Sequence, residues 1–288
     1  MNSTDLVDQF RSEMSDAAAP FLWSDTLVYG YINDAQRMFC RLTNGIADSR
    51  TPAVTQFALI PGTDWYDLHK GVLKIRTATR SDSGRDVETL NAEHLDQYKV
   101  RFDRSPGRLK YLVQGLEEHA VRAWPLPDDA ARITATAAGI TLTGATSLPL
   151  TSTTGVYVGQ SVTVAGVAAK TTVTSITGNT VGLSAATTAD IADLTTIYFD
   201  LTVNLAVFRL PLVAITDDGD QALEIDEQHH EHLLLWVKHR AYDKQDAETF
   251  DRRKSDDFAA RFRTYCADVK KEQDRARRVV SAVAYGGI

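Results

Sequence analysis

Val173-Thr-Ser-Ile-Thr-Gly-Asn-Thr-Val-Gly-Leu183 is the stretch on which the reading of the fold turns. β-Branched residues and small polar ones flank Gly178-Asn179, a pair suited to the positive φ angles of a tight turn. The segment therefore predicts a β-hairpin. The same texture extends outward. Ser161-Val-Thr-Val164 alternates at period two, and threonines recur from Thr134 to Thr196 between Val, Ile, Leu and Gly. Gly166, Gly178 and Gly182 punctuate the runs. From 132 to 199 there are four charged residues, Arg132, Lys170, Asp190 and Asp193, and no Cys, Met, His or Trp. A disordered Thr/Ala tract has a similar composition. The regular alternation instead predicts a small all-β module, a sandwich or partial barrel of about six short strands.

The flanks are a different kind of sequence. The other 220 of the 288 residues hold 65 of the 69 charges. Overall, 43% hydrophobic and 24% charged residues are ordinary for a globular chain and exclude wholesale disorder. A net charge of -7 argues against a dedicated nucleic-acid binder, which needs a cationic surface. No apolar run approaches the ~18–20 residues of a membrane helix, so no membrane partner is expected. The opening MNSTDLVDQF is polar and acidic, unlike a secretory signal. Cys40 and Cys266 read as buried, reduced thiols.

The flanks predict an α+β body: a helical core of N- and C-terminal helices with an antiparallel β-meander. Leu6, Phe10, Met14 and Ala17 share one helical face, with Ser3 or Thr4 as N-cap. Pro20 ends that segment. Ser24 caps a second helix, with Trp23 and Val28 as a hydrophobic staple and Leu27, Tyr31, Ala35, Met38 and Leu42 along a face. Asn44-Gly45 closes it. Strands are expected at Val54–Ile60, Gly71–Thr77, Tyr111–Leu116, Ala120–Trp124 and Leu201–Phe208, with a loop at Ser81–Arg85 and a short helix at Leu90–Tyr98. Asp226 caps a helix to about Asp243. A second runs from about Ala247 to Arg278, with Phe250, Phe258, Phe262, Tyr265 and Val269 on one stripe. Residues 224–278 carry thirteen acidic and thirteen basic side chains, a solvated or intersubunit face. Joining Trp124-Pro-Leu-Pro-Asp-Asp129 directly to Asp200 restores a compact meander. The domain reading is thus a discontinuous body, 1–131 and 200–288, interrupted at a hairpin loop by an inserted module, 132–199.

Catalytic signals are missing. The sequence has no phosphate loop, nucleophile elbow, Cys-x-x-Cys pair or dinucleotide glycine pattern. His229, His230, His232 and His239 crowd one helix, but Glu-x-x-His occurs there only once, at Glu227–His230. Solvated or interface histidines are therefore expected rather than a metal site. Asp217-Asp-Gly-Asp220 lacks the oxygen spacing and distal Glu of a calcium loop and reads as an acidic turn. No catalytic residue, cofactor or metal is expected.

Three early segments, Asp5-Leu-Val-Asp-Gln-Phe-Arg11, Pro20-Phe-Leu-Trp-Ser-Asp25 and Tyr31-Ile-Asn-Asp-Ala-Gln36, resemble the opening of the head-to-tail adaptor (connector) proteins of tailed bacteriophages. Phe208-Arg-Leu-Pro-Leu212, Ile225-Asp-Glu-Gln-His-His-Glu-His-Leu-Leu-Leu-Trp236 and Ala241-Tyr-Asp-Lys-Gln-Asp-Ala-Glu248 resemble its closing part. The resemblance spans roughly 1–130 and 200–275. The insert resembles Thr/Val-rich β modules of phage virion proteins and departs from the shorter adaptors.

The resemblance implies a non-enzymatic virion protein at the capsid–tail junction, assembled in the host cytoplasm. It implies a homo-oligomeric ring, usually of about twelve copies, that closes by one repeated contact. The ring docks under the portal protein, extends the DNA channel without sequence-specific DNA binding, and receives tail nozzle or fibre proteins. The portal-binding arm expected on this reading comprises Arg275, Arg277, Arg278, Val279, Val280, Val283, Tyr285 and Ile288. The competing reading is a peripheral virion protein that binds carbohydrate or a host receptor through its β module.

Overall fold

The computed structural model describes residues 1–94, 105–128, 132–217, 220–245 and 249–277. The fold is α+β. The chain packs as two compact units, Met1–Ala47 with Phe208–Ile288, and Asp48–Val207.

The first unit is helical. Helix α1 (Ser3–Glu13) is capped by Asn2 rather than Ser3 or Thr4. Asn2 accepts from the Asp5 amide at 2.9 Å and the Asp5 carboxylate accepts from the Asn2 amide at 3.0 Å, a reciprocal capping box. The helix stops at Glu13, so Ala17 lies exposed beyond it and not on the expected face. Helix α2 (Asp25–Leu42) starts at Ser24 as expected, with Trp23 and Val28 both buried. Its buried face is one position round from expectation. Val28, Ile32, Ala35 and Phe39 are inside, whereas Leu27 is exposed. Asp226 caps a 3-10 turn that leads into α3 (His230–Asp243).

Helix α4 (Arg252–Arg277) begins later than expected. The Asp251 carboxylate accepts from the Lys254 amide at 3.0 Å, which makes Asp251 the cap and leaves Phe250 outside and exposed. Its inward stripe is Ser255, Ala259, Phe262, Cys266 and Val269. One apolar cluster joins Leu6 and Phe10 of α1, the α2 face, Leu233, Leu234 and Val237 of α3, and Phe262 of α4. At ~25 cal/mol per Å², burial of such side chains is what orders helices whose outer faces are charged.

The second unit is β-rich. Pro52–Thr55 forms a helical turn where a strand was expected, leaving only β1 (Gln56–Ala58) extended. Proline at the first helical position and the Asp48 carboxylate, which accepts from the Thr51 amide at 3.1 Å, favour that turn. Besides a short edge strand at Ile46–Asp48, the other strands of the main sheet are β2 (Trp65–Asp67), β3 (Val72–Arg80), β4 (Asp86–Asn91), β5 (Tyr111–Gln114), β6 (Ala120–Trp124) and, after the Thr-rich region, β13 (Thr202–Arg209). Leu90 therefore belongs to a strand, followed by a 3-10 turn at Ala92–His94. The rest of the expected helix to Tyr98 lies outside the described residues. The strand order β13-β3-β4-β5-β6-β2 is not a simple meander. β4 and β5 pair in parallel, Glu88 opposite Tyr111, and the long 92–110 connection permits the crossover. β13 lies beside β3, with three strands between it and β6. The Thr-rich region therefore connects separated strands, not the two arms of a hairpin.

From residue 132 to 200 the chain makes six strands: β7 (Arg132–Thr136), β8 (Ser147–Pro149), β9 (Ser161–Thr163), β10 (Val173–Thr177), β11 (Thr180–Leu183) and β12 (Thr196–Asp200). They form two three-stranded antiparallel sheets, β7-β12-β9 and β8-β11-β10. β10 and β11 are the hairpin of the opening stretch, turning at Gly178 with φ 57°. Val162, Ile197 and Phe199 of one sheet and Leu148, Val173, Val181 and Leu183 of the other share one buried cluster. Two sheets over one core make a small sandwich.

Candidate assembly surfaces

All four charged side chains of the Thr-rich region are spent on structure. Arg132 begins β7 and Asp200 ends β12, directly opposite in register. Their ion pair is two-pronged, Nε to Oδ1 at 2.5 Å and Nη2 to Oδ2 at 3.2 Å, and the Thr163 hydroxyl donates to the same fully buried carboxylate at 3.0 Å. The point where the chain enters and leaves the sandwich is thus latched. Lys170 donates its ammonium to the Ala53 carbonyl at 2.6 Å. Asp190 accepts from the Thr143 amide and hydroxyl, both at 2.7 Å, and Asp193 accepts from the Gly139 amide at 2.6 Å.

Those two carboxylates brace one tip of the sandwich. Thr141 and Ile191 exchange backbone hydrogen bonds at 3.0 and 2.8 Å, and the Thr187 hydroxyl donates to the Leu142 carbonyl at 2.7 Å. The pinned loops carry Ile140, Leu142 and Leu194, which are 68%, 65% and 70% exposed. Leu194 has φ 62°, a left-handed conformation costly for a branched side chain. The hydrogen-bonded loops thus present an apolar surface of three aliphatic side chains to water. The sequence reading missed it. Its signal was the pairing of Asp190 and Asp193 with isolated large aliphatics in an otherwise small-residue tract. The exposed ring of the sandwich, Tyr198, is covered by the Arg132 guanidinium 4.8 Å from its centroid.

In the helical unit the four histidines pack rather than face solvent. His229 Nδ1 lies 2.8 Å from the Tyr265 hydroxyl, His230 Nε2 2.8 Å from the Ile225 carbonyl, and His239 Nδ1 2.8 Å from the Ser255 hydroxyl. The His232 ring stacks on Tyr265 with centroids 3.6 Å apart. Burial lowers the His229 pKa. Among the described residues no three His, Cys, Asp or Glu side chains are grouped to hold a metal ion. Cys40 and Cys266 are fully buried thiols pushed up to about 12 by burial, which makes both unreactive. Asp217 is exposed and the Asp220 carboxylate accepts from the Asn2 amide group, while Asp218 and Gly219 of the expected acidic turn lie outside the described residues. The outer face of α4 carries exposed pairs such as Arg252 with Asp256 at 3.7 Å and Lys271 with Asp268 at 3.0 Å, each worth little in water.

Of the expected arm residues, Arg275 sits exposed in the last turn of α4 and Arg277 is its last residue. Arg278, Val279, Val280, Val283, Tyr285 and Ile288 lie outside the described residues. Compared with known families, the chain matches that of the SU10 adaptor protein over residues 1–284. The chain belongs to the SU10 adaptor protein family. That range includes the Thr-rich sandwich as well as both flanks. No curated protein matches the chain. As a member of the SU10 adaptor family it is a structural adaptor of a phage virion, made to touch other virion proteins. No helix of the described residues is long and apolar enough to cross a membrane.

Proposed function

We propose that this adaptor forms a homo-oligomeric ring between portal and tail, docking on the portal protein and extending the DNA channel. The observation that carries the reading is the family match along residues 1–284. In this account the residues after α4, Val279 to Ile288, form the portal-binding arm. They are uncharged side chains following a basic run, suited to an apolar groove on a partner. The net charge of -7 suits a wall past which DNA slides, since a cationic lumen would retain phosphate. The sandwich, residues 132–199, is an inserted module whose tip of Ile140, Leu142 and Leu194 meets a tail-side protein.

Removing residues 279–288 should abolish co-sedimentation with portal assemblies while circular dichroism stays unchanged. Leu142→Ser together with Leu194→Ser should keep portal binding and lose tail attachment. A truncated chain that still binds portals sinks the arm, and a double variant that still joins tails sinks the tip.

A further inference from the structure

A groove in the helical unit has a chemistry that the ring reading leaves unassigned. It has a volume of about 520 Å³ and lies between α1, the segment after it and the start of α2. Val7, Ala17, Phe21 and Tyr29 supply its apolar wall, and Asp8, Asp25 and Asp217 its acidic rim. Arg11 also lines it but is already engaged. Its guanidinium donates to Asp16 at 2.9 Å, to the Trp23 carbonyl at 3.1 Å and to Asp25 at 2.5 Å, and it lies 3.6 Å from the Phe21 ring centroid. Asp8 and Asp217 are exposed and have no ion-pair partner among the described residues. Phe21 is 42% exposed even with Arg11 against it. The groove therefore presents two uncompensated carboxylates beside an aromatic wall, the environment that an arginine with its aliphatic stem fits.

The same unit carries the complementary feature at its opposite end. Arg275 is exposed in the last turn of α4 without an ion-pair partner among the described residues, and Arg277, Arg278, Val279 and Val280 follow in sequence. Helix α2 measures the distance between the two. Asp25 and Tyr29 at its start line the groove. Asn44, just past its end, donates to Gln273 at 3.1 Å and to Asp274 at 3.2 Å. The 18 residues of α2 span about 27 Å. Three residues beyond Arg275 extend at most about 10 Å, so these arginines do not reach the groove of their own copy.

We infer that the groove lined by Asp8, Asp217 and Phe21 receives the Arg275-Ala-Arg-Arg278 segment of a second copy of the chain. The occupant is chosen by charge: a basic stretch with the aliphatic stems of its arginines matches an acidic rim over an apolar wall. The placement is chosen by geometry: complementary patches at opposite ends of one unit make a head-to-tail contact, the kind that repeats and closes into a ring. The inference rests on the ring reading and assigns the three arginines to the neighbouring copy, leaving Val279–Ile288 to the portal.

Sedimentation of the full chain across concentration and salt tests it, with portal binding measured in parallel. The wild type should self-associate, less so as salt screens the pairs. Asp8→Arg with Asp217→Arg should raise the concentration needed about tenfold or more, and so should Arg275→Glu, Arg277→Glu and Arg278→Glu together. Both sets in one chain should restore association. A wild type that stays monomeric, reversals without effect, or a swap that fails to rescue would each overturn the contact. Portal binding that persists in those cases leaves the adaptor reading standing, whereas its loss in the wild type strikes that reading instead.

Discussion

At Asp200 the Thr-rich sandwich closes on itself. The carboxylate is fully buried and holds Arg132 and Thr163, so one side chain joins the first, third and last strands of the region. Removing one partner of a buried pair leaves the other charge uncompensated, which costs about 3–5 kcal/mol. Because Arg132 keeps some exposure, the lower figure applies. Asp200→Ala should destabilise the protein by about 3 kcal/mol in chemical denaturation, and an effect below the error of the method would deny the latch. His229 carries a pH prediction. Its folded pKa is lowered by burial, with Asp226 opposing. The unfolded chain therefore binds the proton first, and stability falls as pH drops below about 6.5 towards the lower folded value. His229→Gln should flatten that fall between pH 7 and 5. An unchanged slope would place the titrating group elsewhere.

Among the elements, the turn at Gly166 shows how tightly the sandwich loops cross. Its φ is 88°, and a Cβ there would sit 2.7 Å from the Ala189 carbonyl oxygen. The Gly166 carbonyl in turn accepts from the Thr188 amide at 2.8 Å. Backbone cannot step aside as a side chain does, so Gly166→Ala should cost more than ~1 kcal/mol. A thermal midpoint equal to wild type would contradict this. The helices show where sequence periodicity suffices and where it stops. Asp226 and the Leu233, Leu234, Val237 face of α3 were legible because cap and apolar stripe agree. The face of α2 was misread by one position because apolar residues surround it: Leu27 and Val28, Tyr31 and Ile32, Met38 and Phe39 are adjacent pairs. Only packing against α3 decides which member of each pair goes inside. The parallel β4/β5 pairing is a long-range choice that no local pattern encodes.

For the whole molecule, the composition break at 132 was visible because charge falls to four residues and Cys, Met, His and Trp vanish while threonine rises. The strands inside were legible from alternation and glycine turns. The surfaces were not. Only the folded backbone shows that Ile140, Leu142 and Leu194 are exposed on braced loops, and the groove assembles Asp8 with Asp217 from distant sequence. The sandwich has its own apolar cluster, and its ties to the rest of its unit include the Lys170 contact, the Tyr157 to Ser81 hydroxyl pair at 3.3 Å and the Thr202 hydroxyl to the Gly159 carbonyl at 2.7 Å. Such single polar ties are weak beside a buried core. A chain with residues 132–199 replaced by a short Gly/Ser linker should therefore stay folded and monodisperse, and aggregation would show that the body depends on the insert.

The central claim is the place of the chain in the particle. A cryo-EM reconstruction of the capsid vertex of the virion measures it directly. The account predicts a closed ring of this chain between portal and tail, with the residues after α4 against the portal and the sandwich tip turned to a tail protein. Density for the chain elsewhere on the particle, or a portal bound directly to the tail with no such ring, would contradict it.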